Sequence, residues 1–196
     1  MHLRQVLVVD DGMPLPEARA LDGLAAELGF PVVRLPRNRG KGHAVVAGLT
    51  HALERSSRLG AVLVLDGDGQ HPPAAIPSFL AAAEQAELVI GDRFGDLSSM
   101  PAVRQAANRI SSRLLAARSG APVADSQCGM RLLHGQALHE VRFRGGRYEA
   151  ETVHLRRCLE RGVTIAWVPI QTRYNSEVSS FRPLRDTALV LRALLS

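Results

Sequence analysis

The chain has 196 residues, 24 basic against 19 acidic side chains, and a formal net charge of +5, which suits one domain over 1–196 with a buried core. All basic residues except Lys41 are arginine, scattered with few aromatics among them, which argues against nucleic acid and leaves phosphate-bearing small molecules or an anionic membrane as partners. No apolar run approaches the ~20 residues of a membrane span, and two distant cysteines exclude a disulfide framework or zinc site and point to a reducing cytoplasm, with peripheral contact at the inner membrane face as an extension.

Met1 leads almost straight into a strand at 5–9, leaving no room for a signal peptide. That strand ends in Asp10-Asp11-Gly12. Carboxylates at the carboxyl end of a parallel strand line the ligand crevice of an open α/β sheet, where they accept hydrogen bonds from a base or ribose. A plain strand-to-loop turn accounts for the same residues. Residues 17–28 set Ala18, Leu21, Leu24, Ala25 and Leu28 at helical spacing, with an acidic first turn and Gly29 as a stop. A short strand follows at 32–35. Residues 37–50, RNRGKGHAVVAGLT, join Gly40 and Gly42 to a helix start beside Arg37, Arg39 and Lys41, a setting that suits phosphate. A P-loop needs Gly at 35 and Ser or Thr at 42, where Leu35 and Gly42 stand, so that motif is rejected.

Residues 61–73, AVLVLDGDGQHPP, are the most informative stretch. The apolar run 61–65 predicts a buried central strand of a parallel sheet. Alternate residues at a strand end point the same way, so Asp66, Asp68 and Gln70 can face one cleft. Oxygen donors there suit Mg²⁺ or Mn²⁺, with open positions for substrate phosphates. A solvated Asp-Gly turn is the plainer alternative. A helix at 76–85 and a strand at 88–90 follow, and Gly91-Asp92 leads into Arg93, placed to clamp a phosphate. Residues 101–118 predict an amphipathic helix carrying Asn108-Arg109. The block DSQCGMRLL at 125–133 holds Cys128 as a small buried residue and runs into a strand at 130–134. Glu149 falls near a helix start within 147–159, and a strand at 163–169 carries Trp167. At 183–195, Leu184, Ala188, Leu191 and Leu195 share one helical face beside Arg185 and Arg192. That segment packs on the domain or rests on an anionic membrane.

In this order and spacing, the segments resemble family 2 glycosyltransferases of the dolichyl-phosphate mannosyltransferase-like branch. LDGDGQHPP resembles the family's D-x-D-x-Q-H-P-P, and VVDDG its V-V-D-D-G-S, with Met13 where Ser is usual. Asn38, Gly40, Lys41, Gly42, Ala44, Gly48 and Leu49 follow N-x-G-K-G-x-A-x-x-x-G-L. Gly91 to Phe94 follows G-S/D-R-F, and Asn108-Arg109 resembles the N-R pair on the helix facing the acceptor phosphate. Asp125, Cys128 and Gly129 follow D-x-x-C-G-F-R/K, with Met130 in place of the aromatic. Tyr148, Glu149 and Glu151 resemble F/Y-E-x-E, and Thr172-Arg173-Tyr174 with Ser179 and Phe181 resembles a loop that closes over the diphosphate.

The resemblance implies a GT-A type fold, a mostly parallel sheet flanked by helices. It implies Asp66, Asp68 and Gln70 as metal ligands, Asp10, Asp11, Lys41 and Asp66 at the nucleotide, and Arg93, Arg109, Arg173 and Gln127 at acceptor or phosphate groups. Asp68, Arg93 and Arg109 would form the catalytic set. One departure bears on the sheet. The family begins with a further strand and helix whose strand lies inside the sheet, and here 1–9 leads directly into Asp10-Asp11-Gly12. An unfilled gap would leave backbone groups unpaired, so the strands rearrange, another chain (such as a second copy in a homodimer) supplies one, or the true start lies upstream. The function expected is metal-dependent, inverting transfer of a sugar from a GDP- or UDP-linked donor to a polyprenyl phosphate. A catalytically weak nucleotide-sugar binding module or partner subunit, and a nucleotidyltransferase, are the alternatives.

Overall fold

The computed structural model describes residues 5–56, 59–95, 100, 102–141, 143 and 149–171. The elements alternate: β1 (Val8–Asp10), α1 (Leu15–Leu28), β2 (Val32–Arg34), α2 (Lys41–Arg55), β3 (Ala61–Val64), α3 (Ile76–Ala82), β4 (Leu88–Asp92), α4 (Ala102–Ser119), β5 (Arg131–His134), α5 (Gly135–His139), α6 (Glu149–Glu160) and β6 (Ile165–Pro169). Helix α1 starts two residues ahead of the sequence expectation, because Pro14 and Pro16 suit a first turn that needs no backbone donor. It ends where predicted, with Gly29 in the left-handed conformation at φ 72°. The loop expected over 172–181, with Arg173, and the helix expected at 183–195 lie outside the described residues.

The strands form two sheets. β1 and β2 pair in parallel, and a four-stranded sheet has the order β3-β5-β4-β6. Within it β4 and β6 are parallel, while β5 runs against both β3 and β4. β3, β4 and β6 therefore share one direction and β5 is the reversed strand.

The core lies around β4 and β5, where Leu88, Val89, Ile90, Leu132 and Leu133 are fully buried beneath Phe79, Leu115 and Leu155. β3 departs from its expected place. It is the edge of the larger sheet rather than a buried centre, and all four of its residues are only half-buried. Among the described residues, β1 pairs only with β2 and β3 only with β5. Among these strands no pairing joins the two sheets. Helix α2 is packed close to β1: a Cβ on Gly48 would lie 2.9 Å from Val9 Cγ2.

Candidate functional site

Two strand ends and two helix starts meet at Lys41, the first residue of α2. The Asp11 carboxylate accepts the Arg39 N–H at 2.8 Å and the Gly40 N–H at 2.7 Å, fixing the turn that delivers Lys41. Gly40 sits at φ 95°, a conformation that favours glycine. Gly12 sits at φ 78° with its backbone against the 37–38 loop, where a Cβ would lie 2.3 Å from the Asn38 nitrogen. Asp10 is fully buried, accepting from the Met13 N–H at 2.7 Å and from Arg34 Nε at 2.6 Å. Arg34 continues to Asp22 at 2.9 Å. Both aspartates expected at the nucleoside thus tie loops together. Direct contact of Asp10 with a nucleoside would require it to release Arg34.

Lys41 Nζ lies 2.6 Å from Asp66 Oδ1 and 2.7 Å from Glu151 Oε1. Asp66 follows β3 and Glu151 stands in the first turn of α6. Burial by itself would lower the Lys41 pKa, but Glu151 and Asp66 outweigh it and hold the ammonium charged. Burial would likewise raise the Asp66 carboxyl, and Lys41 and then His71 overcome that and hold it below its usual value. His71 is buried beside Asp66, and its Nδ1 accepts the Asp66 N–H at 3.3 Å. Burial lowers its pKa, with Lys41 and Arg93 adding to the effect and Asp66 opposing it, so the imidazole is neutral near pH 7. Gly129 closes this cluster: a Cβ there would fall 2.2 Å from Lys41 Nζ and 2.6 Å from Asp66 Oδ2.

Asp68 and Gln70 sit further out. Asp68 is exposed, and its Oδ1 accepts the Gln70 N–H at 3.0 Å. No group of three or more His, Cys, Asp and Glu side chains among the described residues is arranged to enclose a metal. The donor set still fits a hard divalent cation shared with a substrate. Asp68 offers an exposed carboxylate, Gln70 an amide, and Asp66 a carboxylate already held by Lys41, fewer ligands than a full shell, with diphosphate oxygens able to complete it.

Arg93 follows β4 and grips Asp125 with both arms of its guanidinium, Nε–Oδ2 at 2.6 Å and Nη2–Oδ1 at 2.8 Å. Asp125 is fully buried and also caps the Gln127 N–H at 3.1 Å. The Gln127 amide nitrogen donates to the hydroxyl of Thr152 on α6. Arg109, on α4, is exposed and lies 5.6 Å from the centroid of the Phe94 ring. Cys128 is fully buried, and burial pushes its thiol up to about 11, so it is no nucleophile near neutral pH.

Sequence reasoning left Arg131 and Glu151 out of the site. Arg131 is fully buried and donates to three carbonyls at 2.9 Å each, those of Ser126, Cys128 and Glu151. It therefore fixes the 125–129 loop against the start of α6. Glu151 had a signal in the E-x-E spacing, but its partner Lys41 is distant in sequence and nothing local joins them.

With this geometry in place the class of the protein follows. Residues 3–142 match the model of the family described as Glycosyl transferase family 2, and the chain belongs to that family. Among its relatives is the undecaprenyl-phosphate mannosyltransferase of Micrococcus luteus, 31% identical over 140 residues, covering 69% of this chain and 57% of that protein. The undecaprenyl-phosphate 4-deoxy-4-formamido-L-arabinose transferase of Enterobacter sp. (strain 638) is 31% identical over 129 residues, 65% of this chain and 38% of its own length. The uncharacterized protein MJ0544 of Methanocaldococcus jannaschii is 27% identical over 89% of this chain and 79% of its own length. The chain thus spans little more than a third to about four fifths of these relatives. Its fold is of the GT-A type. Glucosyl-3-phosphoglycerate synthase from Mycobacterium tuberculosis, in complex with Mn²⁺, UDP and glucosyl-3-phosphoglycerate, superposes with a TM-score of 0.70 at 21% identity, covering 97% of this chain and 67% of that one. No helix among the described residues is long and apolar enough to cross a membrane.

Proposed function

We propose that the chain transfers a sugar from a nucleotide diphosphate sugar to a polyprenyl phosphate, with Mg²⁺ or Mn²⁺ at the donor diphosphate. The observation that carries this is the Lys41–Asp66–Glu151 cluster, with Asp68 exposed two residues past Asp66. Relatives named for undecaprenyl phosphate support the acceptor class, and the metal and UDP of the M. tuberculosis enzyme support the donor class.

Asp68 and Gln70, with Asp66 behind them, would hold the cation, which when bound neutralises charge developing on the leaving diphosphate. Lys41 keeps Asp66 ionised and oriented toward that position. Asp11 and Asp10 shape the nucleotide end through the loops they tie. Arg109, with Arg173 from outside the described residues, supplies phosphate contacts. Arg93 holds Asp125, which in turn caps Gln127 at the sugar end, and its charge would draw the phosphates to the end of β4. A phosphate acceptor is already ionised near neutral pH, so no strong general base is required, and in-line attack inverts the anomeric centre. Peripheral contact with a membrane and a homodimer that lays a strand beside β3 belong to this proposal.

A second reading has its own observation. The described strands form two separate sheets, β1-β2 and β3-β5-β4-β6, and a sheet interrupted in this way suits a binding module that needs a partner to act. Calorimetric titration with GDP and UDP, with and without Mn²⁺, separates the two. Metal-dependent binding of one nucleotide supports the transferase and names its base. No binding by a folded sample refutes the chain as a self-sufficient transferase. Release of pyrophosphate instead of nucleoside diphosphate during turnover would mark a nucleotidyltransferase.

A further inference from the structure

Lys41 is the only lysine of the chain, and its ammonium takes up both oxygens of Asp66. Nζ lies 2.6 Å from Oδ1 and donates to Oδ2 at 2.7 Å. Asp66 is also a proposed donor to the cation. An ammonium against both oxygens and a divalent cation on the same carboxylate repel one another, strongly so in a site largely shielded from water. The ammonium therefore has to give way, and a second carboxylate stands ready for it. Glu151 Oε1 is 2.7 Å from Nζ, and Glu151 Oε2 is buried with no hydrogen-bond partner among the described residues. A buried carboxylate oxygen without a donor is costly, and an ammonium has three N–H groups to give. Exposure sets the direction: the Asp66 side chain is 26% exposed and that of Glu151 6%. Asp66 thus lies on the open side of the ammonium and Glu151 on the inner side. Arg131 holds the Glu151 carbonyl at 2.9 Å, so the inner carboxylate stays in place.

We propose that Lys41 has two stations, resting on Asp66 before the cation arrives and passing inward to Glu151 when the cation takes Asp66. Glu151 is then a positioning residue that acts through Lys41. The inference deepens the transferase reading and rests on its cation at Asp66. The exchange leaves neither carboxylate stranded. Asp66 trades one positive partner for another, and Glu151 gains the ammonium that Asp66 releases. That matters because a buried charge deprived of its partner is strongly destabilising. The exchange also sets a threshold. A bare ion has to displace the ammonium with few protein ligands to hold it, whereas an ion carried on a diphosphate brings further oxygens with it. Lys41 and Glu151 together thus favour the metal–nucleotide complex over the metal alone.

The test reads the side chain itself. The full chain is prepared with isotope-labelled lysine, so that one side-chain signal in the NMR spectrum comes from Lys41. Mg²⁺ is added alone and with GDP or UDP, against NaCl of equal ionic strength. A saturable shift with Mg²⁺ and none with NaCl is expected, reached at lower Mg²⁺ when nucleotide is present. Binding of Mn²⁺, alone and with either nucleotide, is then followed by loss of the free ion's paramagnetic resonance signal. Glu151→Gln should weaken it about tenfold in the native background and less than about threefold beside Lys41→Met. If Glu151 acted on the cation directly, the two losses would be equal. A lysine signal indifferent to Mg²⁺, equal losses in the two backgrounds, or an unchanged affinity in Glu151→Gln would each overturn the inference. Should a variant fail to fold, the labelled native chain still decides. The transferase reading fails separately. A signal that answers Mg²⁺ in a chain that binds neither nucleotide keeps the two stations and removes the transferase. A silent signal beside metal-dependent nucleotide binding does the opposite.

Discussion

Gly129 faces the Lys41 ammonium with no room between them, since a Cβ would lie 2.2 Å from Nζ. Gly129→Ala should therefore displace the Lys41–Asp66 pair and leave the backbone in place. Lysine is flexible, so the stability cost stays near the lower end of the usual overpacking range, about 1 kcal/mol. Nucleotide affinity should fall about tenfold, the equivalent of ~1.4 kcal/mol. Calorimetry beside a urea melt checks both, and undiminished affinity would separate Gly129 from the site.

Lys41→Met removes the one cation between two carboxylates. It should cost about 3 kcal/mol near neutral pH, since two buried charges lose their partner. The pH dependence has a definite sign. In the native protein the Asp66 pKa is lowered, so its contribution is present above the unfolded value and lost as pH falls through the folded one. Without Lys41, burial dominates and raises that pKa, so the variant gains stability as pH falls through the raised value. The stability gap between the two proteins should narrow from pH 7 to pH 4 in paired urea melts. A gap that widens on acidification would contradict this account.

Asp68→Ala should leave the melting temperature within about a degree, because Asp68 is exposed and, among the described residues, bonds only the Gln70 N–H. Turnover should fall at least about a hundredfold if the cation is lost. Nucleotide titration should lose its dependence on Mn²⁺, whereas unaltered metal dependence would place the cation elsewhere.

Arg131→Lys should not rescue Arg131→Met. One ammonium cannot reach three carbonyls spread over Ser126, Cys128 and Glu151, which the planar guanidinium reaches at 2.9 Å each. Each variant should lose roughly 3 kcal/mol or more, from charged hydrogen bonds and stranded carbonyls. Equilibrium unfolding gives the number, and wild-type stability in the lysine variant would show that the three contacts carry little.

What was legible in the chain was local. The strand that begins at Ala61, the Gly40 entry to α2 and the Gly29 stop of α1 each rest on neighbouring residues, and each falls at the expected point along the chain, although β3 lies at the edge and not the centre of its sheet. Strand direction was not legible. Leu132 and Leu133 look the same whichever way β5 runs, and only its pairing with Leu88 and Val89 shows the reversal. Nor could the apolar letters of β3 tell a central strand from an edge, because both favour such residues and the difference lies in what stands beside them. The contacts of Lys41 with Glu151 and of Arg131 with the 125–129 loop depend on the chain's return, which spacing alone does not record.

The open side of β3 also affects how the protein behaves in bulk. Ala61–Val64 is an uncharged, β-favouring ladder with one side unpaired among the described strands, the pattern from which chains stack into aggregates. Loss of soluble protein on storage or mild heating should rise steeply with concentration. A lysine at Val62, whose register partner is Leu133, would act as a gatekeeper, slowing precipitation.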